Sequence, residues 1–439
     1  MSKLVRNAGN GLTRRNLLKG AALGAAALSV PATVRSAFAQ GDGTVRVGFI
    51  GPRSGPLGIF GEGDSFLVEQ VGRHLADGIQ SGDRRYGLQL VLGDTQSDPV
   101  RAAQVARDMI NSENLDLVIT SSTPETVNPV ADACEAAGMP CLSTTAPWES
   151  FYFGRGARPG EPSPFRWTYH FCFGVGNFTR LYADQWSQVE TNRRVGILAP
   201  NDADGNAIRM MLLPELEAAG FTIIDAGPYE NGTTDFTQQI NLFRSENCEI
   251  FNCFPFPPDF PVFWRQAAQR GYAQQVKVCQ MAKAGLFAAE LEALGPLGYG
   301  LHAGAYWHPL FPFTSSSTGL TCEMLAAAHE GVVGKQWNQQ LGANASLLDA
   351  TVAAIASASD PKDKTAMASA LSMLKCDTAV GEIDFTSGPV ANCATTGLVG
   401  VQWVKAESGP YEFDLNIVSN ADHPFVPVTG QMTSYTVQG

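Results

Sequence analysis

The chain has 439 residues, 44% of them hydrophobic and 16% charged, enough apolar material for a sizeable core and unlike a disordered composition. Thirty Lys and Arg stand against 42 Asp and Glu, a net charge of -12, and six of the cations fall within residues 1–39, which contain no acid. The remaining 24 cations against 42 acids argue against nucleic acid or an anionic membrane as a partner, since both would be repelled.

Residues 1–39 read as an address. Arg14 and Arg15 precede an apolar run from Leu17 to Val30, and the segment closes with Ala37-Phe38-Ala39. The run is shorter than the roughly 20 apolar residues a membrane span needs, so a cleaved export signal is expected, cut near Ala39/Gln40. Thr13-Arg14-Arg15-Asn16-Leu17-Leu18-Lys19 resembles the twin-arginine export motif, with Leu17 where Phe is commoner. The expected location is the periplasm.

Beyond the address, short β-rich runs at residues 45–50, 88–92, 115–120 and 140–143 alternate with helical patterns near 62–79, 99–112 and 125–137. A second series starts with a strand at Trp167–Phe173. It continues through strands at 195–198, 222–226, 250–254 and 276–281, with helices near 177–189, 205–219, 235–245, 260–270 and 286–294. Alternating β and α with buried strands predicts parallel sheets covered on both faces, and right-handed crossovers make them doubly wound. Three helices near 318–331, 339–358 and 363–374 lack strands of their own and are expected to pack on the existing lobes. Strands then follow at 380–385, 398–404 and 413–417.

The fold predicted is α/β: two doubly wound parallel-sheet lobes joined by a hinge crossed more than once. Lobe 1 takes residues 40–165 plus about 306–375, and lobe 2 takes 166–305 plus about 376–439. The Gly- and Pro-rich stretch Gly154–Pro164 is the first candidate crossing. Nine cysteines leave at least one thiol unpaired unless chains pair, and Cys134/Cys141, Cys253/Cys279 and Cys376/Cys393 are candidate pairs or simply small buried residues.

Enzyme signatures fail on spacing. Gly51–Gly61 follows the first strand but lacks G-x-G-x-x-G, and Pro52 and Pro56 remove amide donors. Gly331–Lys335 has the wrong glycine spacing for a P-loop, with Gln336 where Ser or Thr belongs. Neither a nucleophile elbow nor zinc-ligand spacing occurs, so no catalytic residue, metal or cofactor is assigned. Attention falls on residues just after the strands, where open α/β sheets bind ligands. Ser121-Ser122-Thr123-Pro124-Glu125-Thr126 and Ser143-Thr144-Thr145-Ala146-Pro147-Trp148 offer hydroxyls and helix-start amides suited to a carboxylate, though either loop is also consistent with ordinary helix capping.

From residue 44 to 404 the chain resembles the type I periplasmic solute-binding proteins of ABC importers, in the leucine/isoleucine/valine-binding family. The resemblance is carried by Val45–Pro52 with Ser54-Gly55-Pro56, Leu90–Thr95, Ser121–Pro124 and Gly138–Ser143. Further along it rests on Val195–Leu198, Asp235-Phe236, Arg265-Gln266-Ala267 and Gly381–Phe385. It implies two lobes that close on one small molecule and dock on an inner-membrane permease, with no catalysis. A periplasmic sensor of the same fold, signalling to a membrane regulator, is the alternative. Together with the hydroxyl-rich loops, it makes the candidate ligand-binding residues Phe60, Ser122, Thr123, Thr126, Thr144, Thr145, Trp148, Asp204, Phe254, Phe256 and Lys283. The family's amino-acid binders place a carboxylate after the strand ending here at Met281, to receive the ligand's ammonium, whereas this chain has Ala282-Lys283. Lys283 is therefore expected either to point away or to meet an anion, which favours an amine-free carboxylate over the family's aliphatic amino acid unless Asp202, Asp204 or Glu230 supplies the missing charge. The expected partners are a carboxylate-bearing solute, either an amino acid or an amine-free organic acid, and an ABC permease, the protein itself being a monomer.

Overall fold

The computed structural model describes residues 42–437; the export signal expected over residues 1–39 lies outside them. The first sheet is built from β1 (Thr44–Gly51), β2 (Ile79–Ser81), β3 (Arg84–Asp94), β4 (Leu117–Ser121), β5 (Cys141–Thr144) and β6 (Thr168–Phe171). Their helices are α1 (Asp64–His74), α2 (Pro99–Ser112), α3 (Pro124–Ala137) and the short α4 (Trp148–Tyr152). Strands β4 and β5 are buried along their whole length, as a parallel sheet covered on both faces requires. Helix starts are written locally. Asp98 accepts the amide of Arg101 at 2.7 Å ahead of Pro99, and Asp202 accepts that of Gly205 at 2.8 Å.

The second sheet takes β7 (Arg194–Leu198), β8 (Thr222–Asp225), β9 (Ile250–Cys253), β10 (Val278–Met281) and β11 (His302–Ala305), all parallel. Helices α5 (Val175–Ser187), α6 (Ala203–Ala218), α7 (Thr237–Ser245), α8 (Asp259–Gln269) and α9 (Ala288–Glu292) intervene. The chain then returns to the first sheet through α10 (Cys322–Val333), α11 (Gln339–Ser357), α12 (Lys364–Ser372) and the hairpin β12 (Lys375–Thr378) and β13 (Gly381–Asp384). Last come β14 (Cys393–Ala394), β15 (Val399–Lys405) and β16 (Phe413–Ser419). Strand order is β14-β6-β5-β4-β1-β3-β2 in one sheet and β16-β15-β11-β10-β9-β7-β8 in the other.

Two boundary expectations need correction. The strand at residues 167–173, read as the start of lobe 2, belongs to the first sheet: Thr168–Phe171 pairs in parallel with Cys141–Thr144. The segment from 376, assigned to lobe 2, also stays with the first sheet through β14, which pairs with His170 and Phe171; only from β15 does it join the second. The Gly- and Pro-rich stretch 154–164 is therefore a loop within the first unit, and Arg155 from that loop buries its guanidinium over Phe151 and Phe165. Turn-rich composition marks a loop but not its destination. The chain passes between sheets after β6, after β11 and after β14. All nine cysteines are free thiols, eight of them buried. In the β9/β10 register Cys279 faces Phe251 and Cys253 faces Met281, so those two sulfurs are not opposite one another.

Helix α11 packs against α1, β2, β4 and β5 and carries the second crossing back onto the first sheet. Its Gly342 lies against the buried Trp307, where an added Cβ would sit 1.9 Å from the ring. Replacing a helical Gly by Ala ordinarily gains up to about 1 kcal/mol. Here Gly342→Ala is expected instead to lose about 1–3 kcal/mol through overpacking, seen as a lower urea midpoint with an unchanged slope.

Candidate functional site

In each sheet the strand order reverses at one place, between β1 and β4 in the first and between β7 and β9 in the second. Loops diverge at such a point and leave a crevice beyond the carboxyl ends of the strands. The two crevices face each other across one cavity of about 570 Å³, its mouth included. Phe60, after β1, and Thr123, after β4, come from the first sheet; Asp204, after β7, and Phe254, after β9, come from the second. Each pass between the sheets adds a wall residue: Phe173 from the first, Tyr306 from the second and Leu398 from the third. The rings of Phe173 and Tyr306 stack at 5.7 Å.

Of the side chains nominated from sequence, Phe60, Thr123, Thr145, Asp204, Phe254 and Lys283 line this cavity. Phe256 lies beside it, its ring 5.0 Å from Lys283 Nζ. Ser122, Thr126, Thr144 and Trp148 are not among the lining residues. Ser122 and Thr126 are fully buried, the Thr144 hydroxyl donates to the Phe171 carbonyl at 2.6 Å, and Trp148 packs on Phe153. Sequence reasoning missed Phe173, Phe178, Ile208, Leu286, Tyr306 and Leu398. Nothing local distinguishes them from ordinary core residues, because their role depends on which strand ends meet.

Thr145 holds φ at +82°, a conformation costly for a β-branched residue, about 1–3 kcal/mol. Its hydroxyl lies 2.8 Å from Ser121 Oγ and 3.2 Å from Gln340 Nε2. Gln340 accepts the Tyr306 hydroxyl at 2.9 Å and donates to Asn344 at 2.7 Å; Asn344 donates to Asp64 at 2.7 Å, which pairs with Arg53 at 2.6 Å. Burial raises Asp64 to about 6 despite Arg53 and Asn344. This buried chain ties the cavity wall to α1 and to the loop after β1. Such networks rigidify when every member is satisfied.

The charged end of the cavity is assembled from both sides. Lys283 Nζ lies 3.0 Å from Asp204 Oδ2 and 3.9 Å from Asp202 Oδ2. Burial works against its charge, yet Asp204, Asp202 and Glu125 outweigh that and hold its pKa above the ordinary lysine value. Glu125, from the first sheet's α3, accepts the backbone amide of Asp204 at 3.1 Å, a bond that crosses between the two units. Burial also pushes Glu125 and Asp204 upward, Lys283 opposing both shifts. Lys283 thus neither points away nor stands free. Among the described residues no group of His, Cys, Asp or Glu is arranged to hold a metal ion.

A further buried carboxylate sits at the first crossing. Glu149 Oε1 accepts the amide of Val175, the first residue of α5, at 2.9 Å, and burial raises its pKa to about 7. The favourable helix N-terminus does not offset the lost hydration.

Residues 44–407 match the sequence model of a family described as periplasmic binding protein. The structure is similar to a leucine-binding protein of Thermotoga maritima, at 18% identity over 86% of this chain and 99% of that one, with a TM-score of 0.69. It is also similar to a solute-binding protein of an ABC transporter from Rhodopseudomonas palustris, in complex with 3,4-dihydroxybenzoic acid. That pair shares 14% identity over 90% of this chain and 98% of the other, with a TM-score of 0.68. A branched-chain amino acid binding protein of Streptococcus pneumoniae, in complex with isoleucine, gives 13% identity over 85% and 99%, at 0.64. No curated protein sequence matches the chain.

Glu149 supplies a pH test of this geometry. Its folded pKa of about 7 exceeds the unfolded value of 4.5, so folding takes up a proton between them. Its contribution is best below pH 4.5 and is lost as pH rises towards 7. Glu149→Gln keeps an acceptor for the Val175 amide without the charge. It is expected to match the parent near pH 4 and to exceed its stability by about 2–3 kcal/mol at pH 8, read from urea unfolding at the two pH values.

Proposed function

The chain belongs to the periplasmic binding protein family, and from that premise we propose that it is the substrate-binding component of an ABC importer, exported to the periplasm, closing its two lobes on one small solute. The observation that carries the reading is the single cavity at which both switch points and all three crossings meet. A solute seated there touches both units and the segments that join them, so its binding energy favours one relative position of the lobes. A membrane permease then recognises the closed shape. A sensor reading uses the same site and differs only in the membrane partner.

The cavity suits a compact, mainly apolar solute. Its walls include Phe60, Phe173, Phe178, Phe254 and Tyr306, with Ile208, Leu286 and Leu398, while charge is confined to Asp204 and Lys283. Between an amino acid and an amine-free carboxylate, the pairing of Lys283 with Asp204 favours the former, because that ammonium is already balanced. The lobe 1 loop after β5 is also a poor carboxylate receptor: Pro147 has no amide hydrogen and the Thr145 hydroxyl is engaged by Ser121 and Gln340.

A thermal-shift screen of the purified protein against amino acids, aliphatic and aromatic carboxylates, and sugars tests the proposal. A solute that binds the folded state at a hundred times its Kd is expected to add about 2.7 kcal/mol of stability and to raise the midpoint in a concentration-dependent way. If no small solute raises it, the receptor reading is wrong.

A further inference from the structure

The charged end of the cavity holds more acid than base. Asp202 and Asp204 lie 3.9 and 3.0 Å from the single ammonium of Lys283, and Glu125 joins them by accepting the Asp204 amide at 3.1 Å. Two negative charges are thus in excess when all three are ionised, a state that burial disfavours for Glu125 and Asp204. Asp202 is occupied elsewhere, capping α6 through Gly205 and accepting from Asn231 at 2.9 Å. Asp204 is different. Its Oδ2 faces Lys283, whereas its Oδ1 is buried and has no hydrogen-bond partner, in a cavity-lining residue only 5% exposed. Leaving ionised carboxylate oxygens desolvated and unpaired is expensive.

The walls facing this surplus are aromatic, and ring faces attract cations. A solute carboxylate placed here would meet Asp204 and Glu125 as like charges; Lys283 Nζ and the Thr123 hydroxyl are also buried without a hydrogen-bond partner, but the charge of the lysine is already balanced by Asp204 at 3.0 Å. A solute ammonium would supply the missing donor to Asp204 Oδ1 and reduce the surplus.

We infer that an ammonium group is the part of the solute this cavity requires, that Asp204 receives it with Glu125 reinforcing the field from the opposite lobe, and that Lys283 is the positioning counter-ion of Asp204. The solute's carboxylate, where it has one, is dispensable. This rests on the receptor reading above and names the ligand chemistry of that same site.

Two matched series test the assignment by isothermal titration calorimetry on the purified protein. One is 2-phenylethylamine, phenylalanine and 3-phenylpropanoate; the other is 3-methylbutylamine, leucine and 4-methylpentanoate. In at least one series the amine and the amino acid are expected to bind and the acid to bind at least tenfold more weakly. Asp204→Asn should weaken the amine at least tenfold with its circular dichroism unchanged. Should that variant fail to fold, Glu125→Gln, outside the cavity lining, should weaken the amine about three- to tenfold.

An acid that binds as tightly as its matched amine would overturn the inference, as would full amine affinity in Asp204→Asn or, where that variant does not fold, in Glu125→Gln. If none of the six compounds binds while another solute raises the thermal midpoint, the inference falls and the receptor reading stands. If no solute of any class does so, both fall.

Discussion

Three passages of the chain between two sheets are the constraint on which the rest of the molecule depends. Each passage leaves the carboxyl edge of a sheet, so the connecting segments gather where both sheets open their crevices. Phe173, Tyr306 and Leu398 are consequently wall residues and hinge residues at once. A solute that repositions them acts on the joints between the units directly. The strained Thr145 and the hydrogen-bonded chain from Tyr306 through Gln340 and Asn344 to Asp64 and Arg53 back that wall on the first sheet.

Electrostatics then gives the cavity its character. A lysine buried among aromatic and aliphatic side chains would be untenable alone, and Asp204 at 3.0 Å makes it tenable. The same pairing balances the charge of Lys283 within the cavity. Because Glu125 reaches Asp204 from the other unit, the charge balance of the cavity depends on the two units being together. Binding chemistry and lobe position are thereby linked through one small cluster of side chains.

The family match over residues 44–407 agrees with the resemblance read along nearly the same stretch, and the solved relatives share the two-unit fold at identities of 13–18%. At that distance the backbone plan is what is shared. In this chain the buried ammonium of Lys283 is compensated nearby by Asp204. Glu149 at the first crossing shows the opposite economy: a carboxylate kept in a dry place where one oxygen holds the start of α5.

The sequence by itself determined the alternation of buried strands and helices, the doubly wound character of both sheets, and the loops after the strands as the place to look. Those features follow from local periodicity and capping, which neighbouring residues write. Thr123 and Thr145 were legible for that reason, in hydroxyl-rich loops after strands, whereas Phe60, Asp204, Phe254 and Lys283 were nominated through the family resemblance; all six line the cavity. Only the tertiary structure decided that Thr168–Phe171 and Cys393–Ala394 close the first sheet, since strand pairing is chosen by partners far along the chain. It alone decided the charge of the cavity. Glu125 and Asp204 meet across 79 residues, and Lys283 joins them from a third strand end, so no window of sequence contains the cluster.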